Sequence, residues 1–294
     1  GHFAGIGARY YDNSLSYTYK FLPFTLTQVY AGRIAQSLGA CDQITTDSSA
    51  CASSLKVMMD VQNLIWTYKF DRVIVLSVED GVSNAVLEFF GEAQASLSYS
   101  EEQNGTLPSA FDGSNYGFRV AQGAVLAVFE SSQYMERSGH TPKAEMLGAY
   151  TASESCSNAI GQREDGQGFI NAIKGTLEVA NVSTNEIAVV KTHGTGTKSN
   201  NQAEKSALEK SLTGFIATSF KPTIGHTMGV SGLLETCLLL DSMKKGIVPK
   251  IENRTENDDV FLSHDREISG GVVLSLAAGM GNVYSSALFD TRVA

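Results

Sequence analysis

Thr46-Asp47-Ser48-Ser49-Ala50-Cys51-Ala52-Ser53-Ser54-Leu55 is a run of small residues that carries one thiol to the point where a β-rich stretch gives way to a helical one. Downstream, Leu55, Met58, Val61 or Gln62, and Ile65 recur at three-to-four spacing, which predicts an amphipathic helix reaching Tyr68. Cys51 is therefore expected at a helix N-terminus. Unpaired amide N–H groups and the positive end of the helix dipole favour an anion there, so the expectation is a lowered thiol pKa and a nucleophile. The competing reading is an inert core thiol, since free Cys is among the most buried residue types. This stretch by itself leaves both open.

Working outward, apolar β-branched runs such as Arg72 to Ser77 and Glu186 to Val190 alternate with helical patterns at 51 to 68, 167 to 180, 201 to 212 and 229 to 245. That alternation predicts an α/β fold with buried strands. The last helix places Leu233, Leu234, Cys237, Leu238 and Leu240 on a broad apolar face and stops at Lys244-Lys245-Gly246. Gly270 to Leu276, then Ala277 to Asn282, then Tyr284 to Phe289 read as strand, tight glycine turn, strand. Polar stretches interrupt the pattern at 98 to 106 and 164 to 168.

The chain has 294 residues, 43% of them hydrophobic, enough for a large core in one domain or two similar halves. Its net charge of −9 is spread along the sequence, with no basic run beyond Lys244-Lys245, which argues against nucleic acid as a partner. The four cysteines, Cys41, Cys51, Cys156 and Cys237, form no CxxC pair and no zinc-type spacing, so no metal or cofactor is implied and a reducing cytoplasm is the expected compartment. No apolar run of membrane-spanning length is present, and the first residues do not read as an export signal.

Two of the five histidines sit in glycine-containing turns beside apolar strands, in Lys191-Thr192-His193-Gly194-Thr195-Gly196-Thr197 and Lys221-Pro222-Thr223-Ile224-Gly225-His226. Ligands and catalytic groups collect in such strand-end loops. Each histidine alone reads as a residue tying down its turn. As a pair, with a helix-tip cysteine, they suit a reaction that develops negative charge on oxygen, and a thiol suits acyl transfer through a thioester. A carboxylate such as Glu235, on so apolar a helix, needs a cation, and Lys221 is the expected partner. Glu204, eleven residues beyond His193, reads equally as a support of this site or as a solvent-facing residue.

Cys51, the His193-Gly194-Thr195-Gly196-Thr197 turn and the Lys221 to Gly232 segment, in this order, resemble the β-ketoacyl synthases, the condensing enzymes of fatty acid and polyketide synthesis. The resemblance runs from about Phe21 to the C-terminus and includes Phe111-Asp112 through Gly117-Phe118 and Gly123-Ala124. It implies a thiolase-like fold, layered α-β-α-β-α in two similar halves, residues 1–150 with Cys51 and 151–294 with His193 and His226. Only 50 residues precede Cys51, fewer than family members carry, so the first half is expected to be incomplete in this chain. The resemblance further implies that Cys51 accepts an acyl group from acyl carrier protein. His193 and His226 then hold the enolate oxygen of a decarboxylating malonyl-type extender. The N–H groups of Cys51 and Ala278 form the oxyanion hole, with Ala278 at the gate, and Lys221, Glu235 and Glu204 support the site. A homodimer, or a heterodimer with a ketosynthase-like chain, is implied.

Some positions depart from the family pattern: Ala278 and Met280 in the closing turn, and Asn115, Tyr116 and Gln122 where charged residues are usual. Two alternatives stand beside the condensing enzyme. One is a non-catalytic partner subunit that shapes chain length, and the other is a thiolase-like acyltransferase that does not decarboxylate.

Overall fold

The computed structural model describes residues 26–40, 42–98, 101, 104–113, 117–155 and 161–293. Asn115 and Tyr116, and the thiols of Cys41 and Cys156, lie outside the described residues. Helices α1 (Thr27–Leu38), α2 (Ser53–Trp66), α3 (Asn84–Glu92) and α4 (Ser132–Ser138) accompany strands β1 (Arg72–Glu79) and β2 (Gly123–Glu130). There follow β3 (Glu145–Ser153), α5 (Gln167–Ala180), β4 (Ile187–Lys191), α6 (Lys198–Ser211), β5 (Ile216–Thr218), α7 (Lys221–Ile224) and α8 (Ser231–Met243). The chain closes with β6 (Ile247–Val248), β7 (Arg266–Glu267), β8 (Val272–Gly279) and β9 (Val283–Asp290).

A five-stranded mixed sheet in the order β3-β9-β8-β4-β5 forms the centre of the second half. β4 runs parallel to both β5 and β8, and the antiparallel β8–β9 pair turns over Met280-Gly281-Asn282. Gly281 and Asn282 both take positive φ, 88° and 59°, the conformation that glycine and asparagine tolerate best. β8 is buried along nearly its whole length, which fits its unbroken apolar run and a sheet covered on both faces. The division expected after residue 150 falls inside β3; this strand pairs with β9, so it goes with the second half.

α5 packs on β3 and β9 and against α6, while α2 and α8 pack on the sheet and also touch β1 and β2. These elements stack as α5 and α6, sheet, α2 and α8, then the β1–β2 pair. Leu55, Met58 and Val61 of α2 are fully buried in the layer shared by both halves. Each contributes about 1.5–3 kcal/mol on burial. Where α2 meets α8 the helices touch closely: a Cβ on Gly232 would stand 2.8 Å from Leu55 Cβ, and Ser54 Oγ accepts from Leu233 N at 3.1 Å.

An internal correspondence runs through the molecule. β1–β2 and β8–β9 are both antiparallel pairs of eight-residue strands in unbroken register. α2 and α8 each begin behind a one-turn 3-10 helix, Ala50–Ala52 and Met228–Val230, with a serine at the first helical position. The two halves are interlocked across this correspondence. Gly279, the last residue of β8, lies on the Cys51 turn: a Cβ there would stand 2.6 Å from Ser49 O and 3.3 Å from Cys51 N. Glu79, the last residue of β1, lies on the opposite turn: a Cβ on Gly229 would stand 3.5 Å from Glu79 Oε2. β8 is flanked by β4, whereas β1 has no second partner strand among the described residues. No helix among the described residues is long and apolar enough to cross a membrane.

Candidate active site

Cys51 is the middle residue of the turn that precedes α2, so the helix-tip placement read from the sequence is found. Ala50 holds φ 49°, in the left-handed region that L-residues avoid. The turn is pinned by Ser53, whose hydroxyl donates to Ala50 O at 2.6 Å and accepts from Ser49 N at 2.8 Å. The thiol packs against an apolar cluster of Val86, Phe90, Phe118 and Met228.

That cluster corrects the expected acidity. Burial pushes the Cys51 thiol up to about 11; the Lys221 ammonium pulls it down only in part, and Glu79 adds to the rise. Removing water from a thiolate here outweighs the helix tip, because the dipole acts as roughly half a charge while the apolar walls act on the whole ion.

His193 follows β4 and His226 follows α7, and their ring centroids are 5.7 Å apart, nearly perpendicular at 82°. Phe118 stands edge-on to His226 at 4.7 Å. Segment 119–121 fastens the His226 loop to the first half: His226 N donates to Arg119 O at 2.7 Å and Ala121 N to His226 O at 3.0 Å. Met228 N donates to His226 Nδ1 at 3.2 Å, with Ser231 Oγ 2.9 Å from the same nitrogen. A nitrogen that accepts a backbone N–H carries no proton in the neutral ring, so this network assigns the proton to Nε2. His193 Nδ1 is buried with no hydrogen-bond partner among the described residues. Burial holds both imidazoles well below their ordinary value, and the Lys221 charge adds to this, so both are neutral donors or acceptors at pH 7.

The sequence left Glu204 open between support and solvent; it is fully buried beneath the His193 turn. Its carboxylate accepts from His193 N at 2.5 Å, Gly194 N at 2.9 Å and Asn200 Nδ2 at 3.0 Å. Gly196, two residues on, has φ 76° and no room for a side chain, since a Cβ would stand 2.1 Å from Ser109 O. The Lys221–Glu235 pair is also found. Lys221 Nζ lies 2.8 and 3.1 Å from the two Glu235 oxygens and donates to His193 O at 2.5 Å, which places the cation directly under the first histidine. Ala278 is buried at the end of β8, one residue before the glycine that packs on Cys51. All seven residues singled out from the sequence thus gather around one place.

Two further residues belong to this neighbourhood. Lys191 is a second fully buried cation on Glu235, at 3.3 Å, and Glu79 is a buried carboxylate beside the Cys51 turn. Lysine closing the apolar run Ile187 to Val190 was the available signal for the first. Nothing local marks the second, because it arrives through the pairing of β1 with β2.

The arrangement offers a thiol in apolar surroundings, two neutral imidazoles 5.7 Å apart, and backbone N–H groups at a strained turn. Comparison with known proteins bears on that combination. The family model "Beta-ketoacyl synthase, N-terminal domain" matches residues 1–135, and "Beta-ketoacyl synthase, C-terminal domain" matches residues 143–255. The oxytetracycline polyketide putative beta-ketoacyl synthase 1 of Streptomyces rimosus is 27% identical over 248 residues, covering 81% of this chain and 58% of that protein. The tetracenomycin polyketide synthase ketoacyl synthase alpha subunit of Streptomyces glaucescens is 26% identical over 286 residues, covering 94% of this chain and 66% of that protein. The chain therefore spans about three-fifths to two-thirds of the length of these relatives.

Among solved structures, a beta-ketoacyl synthase from Burkholderia phymatum has a TM-score of 0.82 at 26% identity, covering 90% of this chain and 65% of that one. A ketosynthase solved with its type II PKS acyl-carrier protein has a TM-score of 0.87 at 19% identity, covering 93% and 69%. The thiolase-like layering, the internal correspondence and the two matched domain models agree: the chain belongs to the β-ketoacyl synthase family.

Proposed function

We propose that this chain carries the condensing centre of a β-ketoacyl synthase, an acyltransferase of the 3-oxoacyl-[acyl-carrier-protein] synthase type working in fatty acid or polyketide synthesis. The observation that carries the reading is that Cys51 packs on the cluster of Phe118 and Met228, both of which contact His226, while His226 presents Nε2–H with the His193 ring 5.7 Å away. The Cys51 sulfur attacks the carbonyl of an acyl thioester, the carrier sulfur leaves, and the thiol proton passes to it. The exchange balances, and because burial raises the Cys51 pKa to about 11, little thiolate is present at neutral pH and the sulfur must lose its proton as it attacks. The apolar cluster of Val86, Phe90, Phe118 and Met228 beside Cys51 suits the first carbons of an acyl chain.

A malonyl-type thioester then loses carbon dioxide. The electron pair of the broken C–C bond moves into an enolate, whose oxygen takes hydrogen bonds from the imidazole N–H groups. The enolate carbon forms the new bond to the Cys51-bound acyl carbon. The N–H groups of Cys51 and Ala278 receive the tetrahedral oxyanion, which collapses to the β-ketoacyl product and expels the Cys51 thiolate, which takes up a proton to restore the thiol. Lys221, Glu235 and Glu204 fix the backbone that presents His193.

Carrier-borne substrates fit structural neighbours solved as an acyl-carrier protein complex of a ketosynthase and as a ketosynthase/chain length factor. We place the working form in the cytoplasm as a homodimer or beside a ketosynthase-like chain. The test is malonyl-carrier decarboxylation by the purified protein. His226→Ala is expected to lower it by about 10²-fold or more, as loss of an oxyanion donor does. Decarboxylation unchanged in His226→Ala contradicts the role given to His226, and a wild type that acylates Cys51 without decarboxylating the malonyl carrier favours an acyltransferase that does not decarboxylate.

A further inference from the structure

Lys191 closes β4 two residues before His193, and none of its side chain reaches solvent. Its Nζ lies 3.3 Å from Glu235 Oε2 and donates to Leu276 O at 2.6 Å. Glu235 already holds a closer cation, Lys221 at 2.8 Å. One carboxylate thus faces two ammonium groups in an interior closed to solvent. The other buried carboxylate nearby, Glu204, is occupied by three N–H donors. A buried cation in excess costs stability, so stability alone would favour an apolar side chain here.

The geometry gives Lys191 a different use. Leu276 lies on β8 two residues before Ala278, and the next residue, Gly279, packs on Ser49 O and Cys51 N. We infer that Lys191 is a positioning residue: its ammonium ties the Glu235–Lys221 pair under His193 to the Leu276 carbonyl, and so sets the strand end carrying Ala278 against the Cys51 turn. This rests on the condensing reading above and adds to it a second lysine with a defined task.

The charged and titratable groups that act on Lys191 or feel it come from five places. They are Glu235 of α8, Lys221 of α7, Glu204 of α6, and the imidazoles of His193 and His226 in the loops after β4 and α7. Burial draws the ammonium down to about 8, partly opposed by Glu235. The same charge is among the influences that keep both imidazoles neutral.

The experiment compares wild type with Lys191→Met and Lys191→Arg. In the Met variant, Cys51 acylation by an octanoyl N-acetylcysteamine thioester is expected to fall at least about tenfold in its maximal rate, with the half-saturating concentration unchanged. Alkylation of the same thiol by iodoacetamide, which uses no oxyanion hole, is expected to change less than about twofold. The Arg variant, which keeps the charge, recovers part of the acylation. Equal changes in acylation and alkylation, or none, overturn the inference.

Should the Met variant not fold, wild type alone decides: the ratio of acylation to alkylation is expected to fall as pH rises through about 8, and a flat ratio overturns the inference. NMR titration of the His193 and His226 rings needs no turnover. Both are expected to titrate closer to the ordinary value in Lys191→Met, and unshifted titrations overturn the inference. A wild type that takes no acyl group sinks the condensing reading, and the imidazole titrations then still test the placement of Lys191.

Discussion

Ala50 and Met228 hold the same left-handed backbone angle, φ 49°, at the start of matching 3-10 turns. The first turn presents Cys51, and the second gives His226 its Met228 N–H. A left-handed L-residue costs about 1–2 kcal/mol, and a β-branched one more. Ala50→Val is accordingly expected to lower unfolding free energy by about 2 kcal/mol in urea melts, while Ala50→Gly stays within about 1 kcal/mol of wild type. A Val variant as stable as wild type would show that the turn is not strained.

The raised thiol pKa has a direct signature. Only the thiolate is alkylated, so the iodoacetamide rate at Cys51 should rise about tenfold per pH unit, with no plateau until pH approaches about 11. A plateau near neutral pH would mean that the helix tip, not the apolar cluster, controls this sulfur.

The sequence carried the chemistry-bearing positions further than it carried their energetics. Cys51, His193 and His226 announced themselves through local composition, and the Lys221–Glu235 pair followed from the cost of a carboxylate on an apolar helix. Helices α2, α5, α6 and α8 and strands β1, β4, β8 and β9 followed from periodicity. β2 and β3 escaped: Gly123 to Glu130 is a short, nearly unbroken apolar run that periodicity alone does not separate from a buried helix, and β3 carries Gly148, Ala149 and Tyr150 in place of a β-branched run. The direction of the Cys51 shift also escaped, because the cluster that desolvates the thiol is assembled from Val86, Phe90, Phe118 and Met228, up to 177 residues away in sequence. Glu204 stayed undecided for the same reason, since its burial depends on the His193 turn folding back over α6.

Glu235 is the carboxylate shared by two buried lysines, Lys191 and Lys221. Glu235→Ala leaves Lys191 and Lys221 buried without their carboxylate and is expected to cost about 3–5 kcal/mol of unfolding free energy. Denaturant melts check this, and a cost under about 1 kcal/mol would place the two ammonium groups in contact with water.

The histidines make stability sensitive to acid. Burial, reinforced by Lys221, holds both below 6.5 in the folded state, whereas the unfolded chain takes up protons as pH falls through that value. The unfolded state then binds more protons, so stability falls with pH, by up to about 1.4 kcal/mol per unit for each histidine. The stability gap between wild type and His226→Asn should change by up to that amount per unit below about pH 6.5, in favour of the variant. A gap independent of pH would contradict the neutral assignment.

Acyl transfer to Cys51 is the central claim, and intact-protein and peptide mass spectrometry after incubation with a panel of acyl-carrier thioesters tests it most directly. Wild type is expected to gain one acyl mass located on the Cys51 peptide, and Cys51→Ala none. An unmodified wild type, or an acyl group that persists in Cys51→Ala, would contradict the account.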